Sequence, residues 1–265
     1  MRMCSIASGS SGNCIYIGDE DTHILIDAGI SRKAIETGLK ELELSGNDLD
    51  GIFITHEHSD HVKGLGVMAR KYHIPMYGTK ETIEAVKAIS SLGNIGEELF
   101  HPVAAEEELQ LKTLTVKPFK VSHDGANPVA YRVESGEKKA AVATDLGIYN
   151  DYTIDHLKGL DAILLEANHD IRMLQTCRYP YSLKQRILGK YGHLCNEMSG
   201  RLLDAILSDK MKRVFLGHLS NENNYPDLAY ESVRVEVNMS QSEYKAEDFH
   251  ISVAKRDSIS DCFEF

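Results

Sequence analysis

Between Thr55 and His61 the chain reads Thr-His-Glu-His-Ser-Asp-His, so His56, His58, Asp60 and His61 place three imidazoles and a carboxylate within six residues. Imidazole with carboxylate suits a borderline or hard divalent cation such as zinc, iron or manganese, and the absence of a nearby thiolate disfavours a structural zinc site. Such a cation would serve hydrolysis. A polar surface loop is the plainer reading, and it leaves this density of ligands unexplained.

Ligands this close in sequence converge only on a loop held by rigid elements. Gly51-Ile52-Phe53-Ile54-Thr55 is an apolar run that predicts a buried strand ending at the cluster. Upstream, Cys4–Ala7 and Cys14–Ile17 read as strands around the turn-rich Ser8-Gly9-Ser10-Ser11-Gly12-Asn13, and His23–Asp27 as a third. That turn could offer N–H groups to a phosphate, although a plain hairpin is the simpler expectation. Ser31 is placed to cap a helix carrying Ile35, Leu39 and Leu42. Further along, helices are predicted over Val62–Tyr72 and Thr79–Ser90, and strands over Ile74–Tyr77, Leu109–Val121, Val129–Thr144, Ala162–Leu165 and Arg213–Leu216. Asn196 is expected to cap a helix bearing Met198, Leu202 and Ile206. Two blocks of strands, each followed by helices, suggest two sheets packed together with helices outside.

Thr55-His56-Glu57-His58-Ser59-Asp60-His61 resembles the signature of the metallo-β-lactamase superfamily. Leu25-Ile26-Asp27-Ala28-Gly29, Val121-Ser122-His123-Asp124, Thr144-Asp145-Leu146-Gly147 and Leu216-Gly217-His218-Leu219 resemble its first, third, fourth and fifth motifs, in order. The resemblance implies an α/β fold, an αββα four-layer sandwich of two mixed sheets packed face to face, with two divalent ions (Mn2+, Zn2+ or Fe2+) at the strand ends. It assigns His56, His58 and His123 to one ion and Asp60, His61 and His218 to the other, with Asp145 bridging. A carboxylate there, in place of the cysteine of true β-lactamases, is the pattern of phosphodiesterases, nucleases and thioester hydrolases. Asp27 corresponds to an aspartate that orients a ligand histidine, a role with a physical need behind it; a turn former is its plainer role. Two ions about 3.5 to 4 Å apart can share a hydroxide, neutralise a phosphate and support the leaving oxygen. Asp60 is then a candidate to orient the attacking water or accept its proton.

From Ile171 to Gly192 the chain carries Arg172, Arg178, Lys184, Arg186 and Lys190 with no acidic residue, interleaved with Tyr179, Tyr181 and Tyr191. Arginine and lysine suit phosphates and tyrosine can stack on a frayed base, which makes Arg172, Arg178, Tyr179, Lys184 and Arg186 candidate substrate contacts. A solvated helix face with core tyrosines is the alternative. Arg178-Tyr179-Pro180-Tyr181-Ser182, Glu166-Ala167-Asn168-His169-Asp170, Gly192-His193-Leu194-Cys195-Asn196-Glu197 and the serine-glycine turn resemble the YycJ (also WalJ) branch of the superfamily. That resemblance implies a 5′-to-3′ exonuclease on double-stranded DNA, with manganese as working metal. By similarity to the tRNA 3′-processing branch, His193 paired with Glu166 is a candidate to protonate the leaving group, a structural histidine being the alternative. His169 either faces a substrate phosphate or closes its loop.

The whole chain sets the frame. It has 265 residues, and no linker or low-complexity tract divides it, so residues 1–265 read as a single domain. A net charge of −11 excludes a broadly basic nucleic-acid wrapper but not a local basic track. The five cysteines are scattered without a C-x-x-C pair, so they read as small buried side chains without a disulfide framework. No apolar run spans a membrane or resembles an export signal, and a reducing cytoplasm is the expected setting. Besides the exonuclease, the same metal site would suit a small-molecule metallohydrolase (thioester, lactone or cyclic phosphodiester) or an RNA-processing nuclease. The basic interval favours a polymer, and no long inserted arm for tRNA is evident. An inert metal-stabilised binding module is disfavoured, because structural sites close with four ligands.

Overall fold

The computed structural model describes residues 1–265. The first half of the chain supplies β1 (Arg2–Ala7), β2 (Cys14–Gly18), β3 (His23–Ile26), α1 (Arg32–Glu41), β4 (Gly51–Phe53), α2 (Ser59–Val62), α3 (Leu65–Tyr72), β5 (Met76–Gly78), α4 (Lys80–Lys87) and β6 (Phe100–Pro102). The second half supplies β7 (Leu109–Leu111), β8 (Leu114–Lys120), β9 (Val129–Ser135), β10 (Lys138–Ala143), α5 (Asp151–Leu157), β11 (Ala162–Glu166), α6 (Ile171–Thr176), α7 (Tyr181–Leu188), α8 (Asn196–Ile206), β12 (Arg213–Gly217), α9 (Pro226–Met239), β13 (His250–Val253) and β14 (Phe263–Glu264). The strands form two seven-stranded sheets, ordered β14-β1-β2-β3-β4-β5-β6 and β13-β12-β11-β10-β9-β8-β7. Both are mixed: β3 to β6 and β10 to β13 run parallel, and the remaining pairs are antiparallel.

Alternating side chains explain the four layers. Ile15, Ile17, Ile24, Ile26 and Phe53 of the first sheet pack against Val142, Ala162, Leu164 and Phe215 of the second. Their neighbours Cys14, Tyr16, Leu25 and Ile52 face the other way, onto Ile35, Leu39, Met68 and Ile83 of α1, α3 and α4. Ile163, Leu165, Val214 and Leu216 likewise face Leu202, Leu203, Val233 and Val237 of α8 and α9. Strands buried on both faces must be apolar throughout, which is why they read as continuous runs rather than alternating ones. Phe53 anchors the inter-sheet layer, stacked on Tyr77 at 4.7 Å and edge-on to Tyr131 at 5.4 Å. The expected αββα sandwich is therefore the fold.

Several expectations need correction. The helix predicted over Val62–Tyr72 is broken at Gly64, whose N–H bonds Ala28 O and where a Cβ would lie 2.2 Å from Ile30 O. Asn196 is the first helical residue of α8 and not its cap; its amide instead exchanges hydrogen bonds with Asn224 at 2.8 and 3.1 Å. The cysteines are not all isolated. Cys4 on β1 and Cys262 beside β14 are brought side by side, their Cα atoms 4.6 Å apart across a separation of 258 residues, a juxtaposition that spacing could not disclose. No helix is long and apolar enough to cross a membrane.

Candidate metal centre

The parallel strands of both sheets end at one rim, where the candidate metal-binding residues sit. Asp27 follows β3, Thr55 and His56 follow β4, Asp145 follows β10, Glu166 ends β11 and His218 follows β12. Asp27, Asp145 and His218 adopt left-handed backbone, with φ of 61°, 60° and 55°. Each such non-glycine residue costs of order 1 kcal/mol or more, and the turn it makes aims a side chain into the rim instead of along the strand. His58 directly precedes the short helix α2, which carries Asp60 and His61.

Four overlapping groups of potential ligand atoms result: two contain Asp145, with His56 and His61 and with Glu166, His193 and His218, and the other two are His56 with His58 and His123, and Asp60 with His61 and His218. Asp145 lies between them: one oxygen is 3.1 Å from His61 Nε2, and the other is 3.4 Å from His123 Nε2 and 3.7 Å from His218 Nε2. Hydrogen bonds outside this ring decide which nitrogens carry lone pairs. His61 Nδ1 donates to Asp27 Oδ2 at 2.7 Å, His218 Nδ1 to Glu166 Oε1 at 2.8 Å and His123 Nδ1 to Gly192 O at 3.0 Å. His56 Nδ1 donates to Thr55 Oγ1 at 3.0 Å, because that hydroxyl already gives its proton to Asp27. In the neutral rings each of these Nε2 atoms is thus an acceptor turned toward the rim; His61 Nε2 has the Asn13 amide at 3.2 Å, whereas His56 Nε2 is buried with no partner at all. Acceptors converging in a dry site call for cations, so the donor set fits divalent metals.

The electrostatics agree. Burial pushes His56 and His123 below the usual imidazole range. Burial also opposes charge on His61 and His218, yet the carboxylates prevail: Asp145, Asp27 and Asp60 raise His61, and Asp145, Asp60 and Glu166 raise His218 to about 10. Asp60 and Asp145 are held ionised despite burial, chiefly by His61 and His218. Protons thus neutralise the metal-free site, and divalent ions would displace them.

Glu166 is fully buried and serves two rings. Its Oε1 accepts from His218 and from His193 Nδ1 at 2.9 Å, while Oε2 accepts from Leu146 N and Leu194 N at 2.9 and 3.0 Å. His193 is half-buried and also stands 3.5 Å from Asp145 Oδ1, inside the rim.

The basic interval divides by use. Arg172 and Arg178 lie at and after α6, and neither makes a salt bridge. Tyr179 is half-buried. Lys184 Nζ donates to Gln175 O and Cys177 O, both at 2.7 Å, so its charge closes the C-terminal end of α6. Arg186 forks onto Asp124, whose other neighbours are His123 at 3.4 Å and His58 at 3.8 Å. His169 is buried in a backbone bridge to Cys195, with Nδ1 3.3 Å from Asn168 Oδ1, away from the open face. The serine-glycine turn spends its donors internally: Gly9 N goes to Asn13 Oδ1, Ser10 N to Leu219 O and Asn13 N to Asp60 O.

Five contributors escape a reading by motif. Thr55 joins Asp27, His56 and His61; Asn168 Nδ2 holds His218 O at 2.9 Å; Ser8 Oγ accepts from His218 N at 2.9 Å. Asn13 Nδ2 reaches His61 Nε2 at 3.2 Å, and Asp124 links Arg186 to the histidines. The one local signal is a polar residue directly beside a candidate ligand, as at Thr55 and Asp124.

Two face-to-face mixed sheets with a histidine-aspartate rim at their strand ends define a metallo-β-lactamase-fold protein. The solved metallo-β-lactamase-fold protein YhfI from Bacillus subtilis shares that fold, with a TM-score of 0.70 at 16% identity over 98% of each chain. The chain belongs to the beta-lactamase superfamily, whose domain model matches residues 22–218, and within it to the family of the exodeoxyribonucleases YycJ and WalJ. It is 42% identical over 228 residues to exodeoxyribonuclease YycJ of Bacillus anthracis, covering 86% of each chain. It is 39% identical over 225 residues to exodeoxyribonuclease WalJ of Streptococcus pneumoniae serotype 2, covering 85% of this chain and 84% of that one.

Proposed function

We propose that this protein is a metal-dependent exodeoxyribonuclease that degrades double-stranded DNA from 5′ ends, with residues 1–265 acting as one catalytic unit. The observation that carries the reading is the set of overlapping ligand groups at one rim, with Asp145 within 3.7 Å of His61, His123 and His218, in a chain 42% identical to a named exodeoxyribonuclease. His56, His58 and His123 would hold one ion, Asp60, His61 and His218 the other, and Asp145 would touch both. Bound there, two manganese, zinc or iron ions would supply the nucleophile and neutralise the phosphate.

The chain's own residues do the rest. Asp27, Glu166, Thr55 and the Gly192 carbonyl keep four imidazoles in the tautomer that presents Nε2 to the rim. Asp60 stays ionised and orients the attacking water. His193 donates a proton to the leaving oxygen from Nε2, which makes no hydrogen bond within the protein, while Glu166 stabilises the ring through Nδ1. Arg172 and Arg178 offer guanidinium groups to the phosphate backbone, with Tyr179 beside them. Lys184 and Arg186 hold the segment in place through the Gln175 and Cys177 carbonyls and through Asp124, and His169 supports the loop below. The setting is the cytoplasm, where the Cys4–Cys262 pair would be kept as two thiols.

The test is metal-reconstituted protein incubated with end-labelled duplex DNA, single-stranded DNA and RNA, with manganese and zinc compared. Stepwise release of nucleotides from duplex 5′ ends is expected, and His193→Ala is expected to lose turnover while still binding metal. No cleavage of any polymer would overturn the reading.

A further inference from the structure

Beside His123 a cavity of about 560 Å³ has Tyr149, Tyr152, Tyr191, Ile148, Lys120 and Glu106 among its walls, with Ser122 at the side of His123. Its walls flank the metal ligands without including them. Ser122 precedes His123, Ile148 lies three residues after Asp145, and Tyr191 precedes the glycine whose carbonyl holds His123. Ile148, Tyr152 and Tyr191 are 49%, 36% and 51% exposed, an apolar and aromatic surface left open next to a polar rim.

The walls are fixed in place. The Tyr152 hydroxyl donates to Glu106 and accepts from Lys120 N, which leaves the ring no freedom to swing. The Tyr191 segment is gripped on both sides: Ser122 Oγ donates to Lys190 O at 2.7 Å, and Gly147 packs so tightly that a Cβ there would lie 2.1 Å from the same carbonyl. Lys190 Nζ stands 4.6 Å over the Tyr191 ring, and Lys120 makes no salt bridge. An aromatic slot with Lys120 on its wall and Lys190 stacked on Tyr191, its one acidic wall residue Glu106 engaged by Tyr152 and His156, matches a base flanked by phosphates.

We propose that this cavity receives an unstacked nucleobase of the substrate strand, beside the phosphodiester at the metal centre, with Tyr191 and Tyr152 as its stacking walls. The inference rests on the nuclease reading above and deepens it. A duplex end entering the rim must fray, and a frayed base needs a surface to replace its lost stacking. Aromatic rings do this for any base, so the pocket confers hold without sequence preference.

Three substrates separate the possibilities: end-labelled duplex DNA, the same duplex with abasic residues at the terminal positions, and bis(p-nitrophenyl) phosphate. Tyr191→Ala is expected to lower kcat/KM on intact duplex roughly 5- to 150-fold more than on the chromogenic ester. Tyr191→Phe is expected to restore the wild-type ratio, and wild type's preference for intact over abasic duplex is expected to collapse in Tyr191→Ala. Ile148→Ser gives an independent wall variant with the same expectation. Metal-free protein should also quench or shift a terminal 2-aminopurine, and Tyr191→Ala should not. Equal losses on all three substrates, or no loss on DNA, would overturn the pocket alone. Wild type that hydrolyses the ester but no DNA would overturn the nuclease reading, and the pocket with it.

Discussion

Replacing Glu166 with glutamine keeps size and shape yet should not be tolerated. The carboxylate faces only donors: Leu146 N and Leu194 N on one oxygen, His193 Nδ1 and His218 Nδ1 on the other. A glutamine must turn its NH2 toward one pair. Turned toward the backbone, it orphans two buried N–H groups at about 1–3 kcal/mol each, so roughly 2–6 kcal/mol is lost from a total of about 5–15. Turned toward the rings, it drives their protons from Nδ1 to Nε2, which spares stability but removes the His218 lone pair from the rim; metal affinity then falls on the order of 10- to 100-fold. Urea unfolding of the metal-free variant measures the first cost, and calorimetric titration with Mn2+ or Zn2+ measures the second. One of the two must move. A variant with both stability and affinity at wild-type values would refute the hydrogen-bond argument.

Other perturbations have equally definite outcomes. Gly29→Ala puts a Cβ 1.7 Å from Asp60 O, so the turn carrying Asp60 must shift; a loss of roughly 1–3 kcal/mol in urea melts and weaker metal binding are expected. Burial pushes His169 down to about 4, below the 6.5 of an unfolded histidine, so the stability of its neutral form is complete above pH 6.5 and drains away as pH falls toward 4. That loss amounts to roughly 3 kcal/mol at most, and denaturation curves of metal-free wild type and His169→Gln between pH 7.5 and 4.5 should converge by that amount; parallel curves would contradict it. Arg172→Ala and Arg178→Ala should each flatten the slope of log affinity for duplex DNA against log salt by about 0.9. Lys184→Ala should leave that slope alone and instead lower stability by roughly 1–3 kcal/mol, since its ammonium is committed to two carbonyls.

Much of the rim's geometry was legible because its histidines and carboxylates are chemically distinctive and several lie directly after apolar runs. His56, His58, Asp60, His61, His123, Asp145 and His218 do converge, and Asp27 does reach His61. Both sheets were legible for the same reason, since strands buried on two faces announce themselves. What stayed hidden depends on partners far apart in the chain. Lys184 looks like a phosphate contact until the ends of α6 and α7 meet, and Asn196 looks like a cap until Asn224 arrives from 28 residues away. Tyr191 reads as one of three similar tyrosines, and only the fold brings it beside Ile148 and Tyr152 while leaving Tyr181 on the open surface, 77% exposed.

The left-handed corners at Asp27, Asp145 and His218 also bear on how such a protein can diverge. Positive φ welcomes glycine or asparagine and resists β-branched residues. Changes that relax these corners would relieve backbone strain while stripping the rim of a carboxylate or an imidazole and, at Asp27 and His218, orphaning the buried groups those side chains hold. The strain is therefore retained at three addresses by what the side chains do there. Lineages are free to drift in the outer helices, and a copy that has glycine at one of these corners would be recognisable as a descendant that kept the sandwich and gave up the reaction.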